Sequence, residues 1–160
     1  MAYRIKDKDL LRTLLNFGAD PSLADTKTHK CLTDLIKEEN SDKNLASQMK
    51  QLLSDCFMQS IVQLNIQSIR QFLRSGFDLN NSSLNGETRL PDSNSYLHWA
   101  VMYANEPVVR LLVENGAFVN AQNKHGATPL HECIVRKCDK SVKADTLQII
   151  ETLLVYKVTK

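Results

Sequence analysis

Apolar residues recur along this chain in short bursts at helical spacing, and each burst is closed by a polar turn. Leu10, Leu11, Leu14 and Leu15 form an i, i+1, i+4, i+5 stripe that stops at Gly18-Ala19-Asp20-Pro21. Gly18 suits the left-handed cap just past a helix, and Pro21 prevents continuation. Only a stub, Ala2 to Ile5, precedes this stripe, so the chain is expected to open inside a larger helical unit. Further bursts follow at Leu32, Leu35 and Ile36, and at Met49, Leu52 and Leu53. The polar stretch from Lys37 to Lys50 reads as an insertion with a solvated face. No glycine exit follows Leu53, which predicts a seam at Ser54-Asp55-Cys56-Phe57. The pattern resumes through Ile61, Ile66, Ile69, Phe72 and Leu73 and closes at Gly76. Leu97, Ala100 and Val101, then Val108, Val109, Leu111 and Leu112, form the clearest pair and close at Gly116. A last pair runs from Leu130, Cys133 and Ile134 to Ile149, Ile150, Leu153 and Leu154.

These bursts have a period. Gly126-Ala127-Thr128-Pro129-Leu130-His131 repeats, 33 residues on, the key positions of Ser95-Tyr96-Leu97-His98. Thr128 can cap a helix, and Pro129 then sits at the first helical position, where its missing N–H costs nothing. The two exits Gly76 and Gly116 are 40 residues apart, and Asn81 to Asn94, rich in Ser, Asn, Gly and Pro, supplies the excess as an inserted loop. Lys137 to Lys143 is a second insertion, between the two helices of the last pair.

A period of about 33 residues with T-P-L-H, a turn and two helices resembles the ankyrin repeat. The resemblance implies an all-α solenoid of about four and a half helix-turn-helix units with hairpin fingers, one domain over residues 1–160. The units are 1–23 (partial), 24–55 (degenerate), 56–82, 95–121 and 122–157, with the inserted loop at 81–94. In the degenerate unit His29 stands where the family's turn glycine would be, Cys31 replaces the capping threonine, and Asp34 takes the place of the repeat histidine.

Composition narrows the function classes. With 42% hydrophobic and 24% charged residues in 160, the chain is an ordinary folded one. A formal charge of +2 gives no basic stripe for nucleic acid. Four widely spaced cysteines, Cys31, Cys56, Cys133 and Cys138, do not form a disulfide framework, so reduced thiols are expected. No apolar run reaches a membrane span and no signal-peptide core follows Met1. A cytoplasmic protein, or a nuclear one, is the expectation.

Chemistry has little foothold. His29-Lys30-Cys31 and His131-Glu132-Cys133 look like half of a metal site, but one-residue spacing on a helix sends the two side chains to different faces, so no metal is expected. His98 and His131 are expected to hydrogen-bond at their own helix starts. No nucleotide-binding or nucleophile-elbow motif is present, and no catalytic residue or cofactor is expected. Trp99 is expected to be a mostly buried contact between helices.

What the resemblance implies is a non-catalytic protein–protein interaction module of a scaffold or adaptor, monomeric by itself, that binds through a concave surface of fingers and first helices. Carried over by position, the finger residues are Lys27, Thr28 and Lys30, then Pro91, Asp92 and Asn94, then Lys124, His125 and Ala127. The helix residues are Glu38, Glu39, Val62, Gln63, Met102, Tyr103, Val135 and Arg136. Met102, Tyr103, Lys124, His125 and Arg136 with Pro91, Asp92 and Asn94 form the candidate partner site. The finger asparagines Asn80 and Asn120 resemble sites of asparagine hydroxylation, the alternative role beside that of a structural spacer.

Overall fold

The computed structural model describes residues 8–24, 26–27, 29–38, 43–80, 93–103, 105–137 and 145–158. Among them are eight helices and no strand: α1 (Lys8–Asn16), α2 (Leu32–Glu38), α3 (Lys43–Val62), α4 (Ile66–Arg74), α5 (Tyr96–Met102), α6 (Glu106–Glu114), α7 (Pro129–Lys137) and α8 (Asp145–Val158). Contacts gather into two compact units, residues 1–78 and 79–160. In the first, α1, α2 and α4 all pack on α3; in the second, α5 packs on α6 and α7, and α8 on α6 and α7.

The first unit corrects the expected seam. Ser54 to Phe57 lies inside α3, one helix of 20 residues that runs across the boundary drawn at 55 and 56. Ala46, Met49, Leu52, Leu53, Cys56, Phe57, Ser60 and Ile61 are all buried, a single i, i+3, i+4 stripe with no glycine or proline to interrupt it. The same stripe shows that residues 43–50 are not simply a solvated face, since Ala46 and Met49 belong to the core. Residues 39–42 and the stub at Ala2 to Ile5 lie outside the described residues.

The missing exit is present, eleven residues later than Leu53, and it uses leucine. Leu64 has φ 55°, its N–H reaches the Ile61 carbonyl at 3.1 Å, and the Asn65 N–H reaches that of Ser60 at 2.9 Å. These are the paired bonds of a Schellman cap, made elsewhere by Gly18, Gly76 and Gly116 at φ 88°, 73° and 91°. Asn65 then caps α4 by accepting from the Ser68 N–H at 3.1 Å. Phe57, Phe72 and Phe77 fill the space between α3, α4 and its exit, with ring centroids 4.6 to 5.8 Å apart.

In the degenerate repeat the substituted residues rebuild the missing cap. The Cys31 thiol donates to Asp34 Oδ2 at 2.9 Å, and the Cys31 carbonyl accepts the Leu35 N–H at 3.1 Å. A thiol–carboxylate pair thus takes the place of the hydroxyl–imidazole pair of the later repeats. The buried Thr33 hydroxyl donates to the Ser75 carbonyl, which ties α2 to the end of α4. His29, at the turn-glycine position, has φ 54°, beside 73° for Gly126.

The second unit holds the regular repeats. Val108, Val109 and Leu112 of α6 and Leu97, Ala100 and Val101 of α5 are buried, and Ile149 and Leu153 of α8 complete this core. Glu106 joins the layers at its polar edge, bound by Arg110 at 2.6 Å and by the Thr152 hydroxyl at 3.1 Å. Most of the inserted loop, residues 81–92, and most of the second insertion, 138–144, lie outside the described residues.

Candidate partner-binding surface

The candidate surface is built on two helix starts. At α5, Ser95 has extended backbone and its hydroxyl accepts the His98 N–H, while His98 Nδ1 accepts the Ser95 N–H at 3.1 Å. With Nδ1 occupied as an acceptor, the ring proton sits on Nε2 and is donated to the Ala127 carbonyl at 2.9 Å. His98 is fully buried, and that burial holds its pKa below the ordinary value of 6.5, against the Ala127 hydrogen bond and the Glu132 carboxylate, which favour the charged ring. At α7 the same box recurs: Thr128 N–H donates to His131 Nδ1 at 3.1 Å, and helix begins at Pro129. Both histidines serve their helix starts, as the sequence led us to expect.

The finger between α6 and α7 is held by one amide. Asn123, buried, accepts from the N–H groups of His125 and Ala127 at 3.0 Å each through Oδ1, and its backbone N–H meets the Ala127 carbonyl at 2.9 Å. Its Nδ2 donates to Asn94 Oδ1 at 2.9 Å, and Asn94 Nδ2 lies 3.9 Å from the Met102 sulfur. A run of hydrogen bonds therefore links the end of α5 to the finger tip. Asn94 belongs to this frame: at 5% exposure it is a buried brace and not an accessible contact, which corrects its place in the candidate site. Only a residue with both a donor and an acceptor at its tip can bridge Asn123 and the α5 end, and such an amide is drawn inside.

The other candidates separate into three groups. Lys124 and His125 are exposed on the finger tip, Tyr103 is exposed at the end of α5, and Met102 beside it is half-buried. Arg136 lies on α7, but its side chain is outside the described residues, as are Pro91 and Asp92 altogether. Tyr103 stacks on Trp99, ring centroids 6.4 Å apart and planes 23° from parallel. Trp99 itself is half-buried, with an Nε1–H that is buried and unbonded. Sequence reasoning missed this stack because i, i+4 aromatic pairing on a helix end does not reveal which ring is covered.

The two finger asparagines differ. Asn80 is half-buried, and its amide grips the exit of α6, donating to the Gly116 carbonyl and accepting the Phe118 N–H, both at 2.9 Å. Asn120 is exposed.

Among the described residues no cluster of three metal-ligating side chains occurs, no helix is long and apolar enough to cross a membrane, and Cys31, Cys56 and Cys133 are free thiols. In the first unit a polar groove lined by Arg12, Asp55, Gln59, Gln63 and Cys56 is spanned by the Arg12–Asp55 pair at 3.5 Å. Burial pushes the Cys56 thiol up to about 11, so it is a poor nucleophile at neutral pH.

Residues 97–154 match the family described as ankyrin repeats (many copies). Human Rabankyrin-5 is 39% identical over 67 residues, which is 39% of this chain and 6% of that protein. The palmitoyltransferase ZDHHC17 of Danio rerio is 50% identical over 44 residues, 28% of this chain and 7% of its own length. The chain thus spans only a small part of these relatives. The crystal structure of the ankyrin repeat domain of Bcl-3, described as a unique member of the IkappaB protein family, is 19% identical, with a TM-score of 0.51 over 94% of this chain and 65% of that one. Repeats of this kind are in general protein–protein interaction modules, and their fold is typically non-catalytic, although enzymes such as the palmitoyltransferase carry them. Residues 97–154 are thus similar to the ankyrin repeat family, and the fold of the chain is that of an all-α ankyrin-repeat stack.

Proposed function

We propose that this chain is a non-catalytic binding module for another protein, the partner docking on the second unit across the end of α5 and the finger tip. The observation that carries this reading is the Met102–Asn94–Asn123 run of contacts, which fixes the exposed Tyr103 and the exposed Lys124 and His125 on one braced framework. A tyrosine half covered by a tryptophan loses little side-chain freedom on binding, and a pre-set loop loses little more. By repeat position alone, Arg136, Pro91 and Asp92 are assigned to the same proposed site. A cytoplasmic or nuclear setting and a place within a scaffold or adaptor fit this role.

The test is site-specific photocrosslinking in cells. A photoreactive residue at position 103 and another at position 124 should capture the same protein, while positions 70 and 151, exposed on α4 and α8, should not. Capture from 70 or 151 alone would move the site elsewhere.

Asparagine hydroxylation is a second reading, favoured at Asn120 by its exposure, whereas the Asn80 amide is engaged with the α6 exit. Intact-peptide mass spectrometry of cell-derived protein, showing one added oxygen on Asn120, would support it.

A further inference from the structure

In the first unit a groove of about 230 Å³ lies between α1 and α3, and its two walls are rows of polar side chains at helical spacing. Arg12 and Asn16 stand four residues apart on α1. Asp55, Gln59 and Gln63 keep the same spacing on α3, the last of them just past its end, where the Gln63 N–H bonds to the Gln59 carbonyl at 2.9 Å. Leu15 and Cys56 form the floor and are both buried, so the apolar strip between the walls is narrow. The charged members are already engaged: Arg12 meets Asp55 at 3.5 Å, and Asp55 also accepts from Gln51 Nε2 at 2.8 Å. The carboxamides of Asn16, Gln59 and Gln63 are exposed and make no hydrogen bond among the described residues.

We infer that this groove is a clamp for a short, uncharged, extended segment of another protein, held by its main chain. Each carboxamide carries both a donor and an acceptor at its tip, the two groups that an extended peptide presents in alternation as N–H and C=O. From Asp55 to Gln63 the helix advances about 12 Å, which is room for three or four residues of extended chain. The groove is smaller than the roughly 300 to 1,000 Å³ of small-molecule and cofactor pockets, which argues against a ligand of that class. Its one cation and one anion cancel, so neither a phosphate nor a metal ion matches the lining. The narrow floor of Leu15 and Cys56 suits alanine or serine side chains and no larger ones. Water satisfies the same carboxamides when the groove is empty, so the net gain per bond is small and the affinity is of the order of millimolar. The claim does not depend on the site proposed in the second unit.

The test is an NMR titration of the full, nitrogen-labelled chain with a blocked alanine–serine pentapeptide, acetylated and amidated so that it carries no charge. The side-chain amide signals of Asn16, Gln59 and Gln63 should shift together and saturate with a midpoint of about 1 mM. The same peptide with its central amides N-methylated cannot donate and should bind about tenfold more weakly or less. Gln59→Leu with Gln63→Leu, at two exposed positions, should leave Tm nearly unchanged and weaken the unmodified peptide by about the same factor. No shift up to about 20 mM peptide, or equal binding of the N-methylated peptide, or equal binding by the double variant, would overturn the proposal. Saturable shifts of the Arg12 side chain with inorganic phosphate, and none with the peptide, would assign the groove to an anion and overturn it as well.

Discussion

His98 and Ala127, 29 residues apart, are joined through the imidazole Nε2–H and the Ala127 carbonyl at 2.9 Å, and this bond fastens the start of α5 to the finger that leads into α7. Replacing His98 by Ala leaves the Ser95 N–H and the Ala127 carbonyl without their partner in a buried site, which should cost about 2 kcal/mol or more. His131→Ala, at the exposed counterpart, should cost less than about 1 kcal/mol. Denaturant melts of the two variants check the difference.

The same histidine gives a pH dependence. Its folded pKa lies below 6.5, so the unfolded chain takes up a proton first as pH falls. Stability from this group is therefore full above about pH 6.5, declines as pH drops through that value, and levels once the folded ring also titrates. Unfolding free energy should fall between about pH 8 and about pH 5.5, and His98→Gln should flatten that part of the profile. An unchanged profile in the variant would contradict the assignment.

Three described non-glycine residues hold left-handed backbone, His29, Leu64 and Ser93, and two of them, His29 at φ 54° and Leu64 at φ 55°, stand where other repeats use glycine. Each should be improved by glycine: His29→Gly and Leu64→Gly should raise stability by up to about 1 kcal/mol each, less whatever Leu64 contributes by its partly covered side chain. The converse holds at Gly116, where an added Cβ would meet nothing within 4 Å but φ is 91°. Gly116→Val should then destabilise by about 1 to 2 kcal/mol through backbone strain alone. Thermal melts of the three variants give the signs.

Cys56 is buried with its thiol pushed up to about 11, while Cys31 is half-buried and faces Thr33, Asp34 and Ser75. Alkylation of native protein at neutral pH should therefore label Cys31 well before Cys56, as peptide mapping after a short iodoacetamide pulse would report. Equal labelling would mean that α3 opens readily.

How much of this was legible in the sequence depended on whether the fold used the residue types that advertise a feature. Gly18, Gly76 and Gly116 announced their helix exits, and Thr128-Pro129 announced a helix start. Leu64 makes the same exit with no glycine, so the boundary was placed at Ser54 to Phe57, inside a helix whose apolar stripe is unbroken. Cys31 and Asp34 looked like losses from the repeat, yet they pair as a cap because a thiol and a carboxylate can replace a hydroxyl and an imidazole at the same two positions. At the candidate site, position within the repeat placed Tyr103, Lys124 and His125 at the surface, but Asn94 was drawn inward by its bond to Asn123, a tertiary contact that no local pattern encodes.

Trp99 offers a check on the aromatic pair at the end of α5. Its Nε1–H is buried without a partner, a cost of about 1 to 3 kcal/mol that Trp99→Phe should partly remove. That variant should be no less stable than the parent by more than about 1 kcal/mol, despite the smaller ring. A larger loss would show that indole packing outweighs the unmet hydrogen bond.

The most direct measurement of the binding surface is the affinity of the protein captured from positions 103 and 124 for a double variant, Tyr103→Ala with Lys124→Glu. Both side chains are exposed, so Tm should change by only a few degrees, about the effect of losing one surface stack. Binding should weaken by about tenfold or more, the loss expected when an anchoring aromatic and a neighbouring charge are removed together. Parent-like affinity in that variant, with binding abolished by deletion of residues 82–93, would contradict the account and place the contact on the inserted loop.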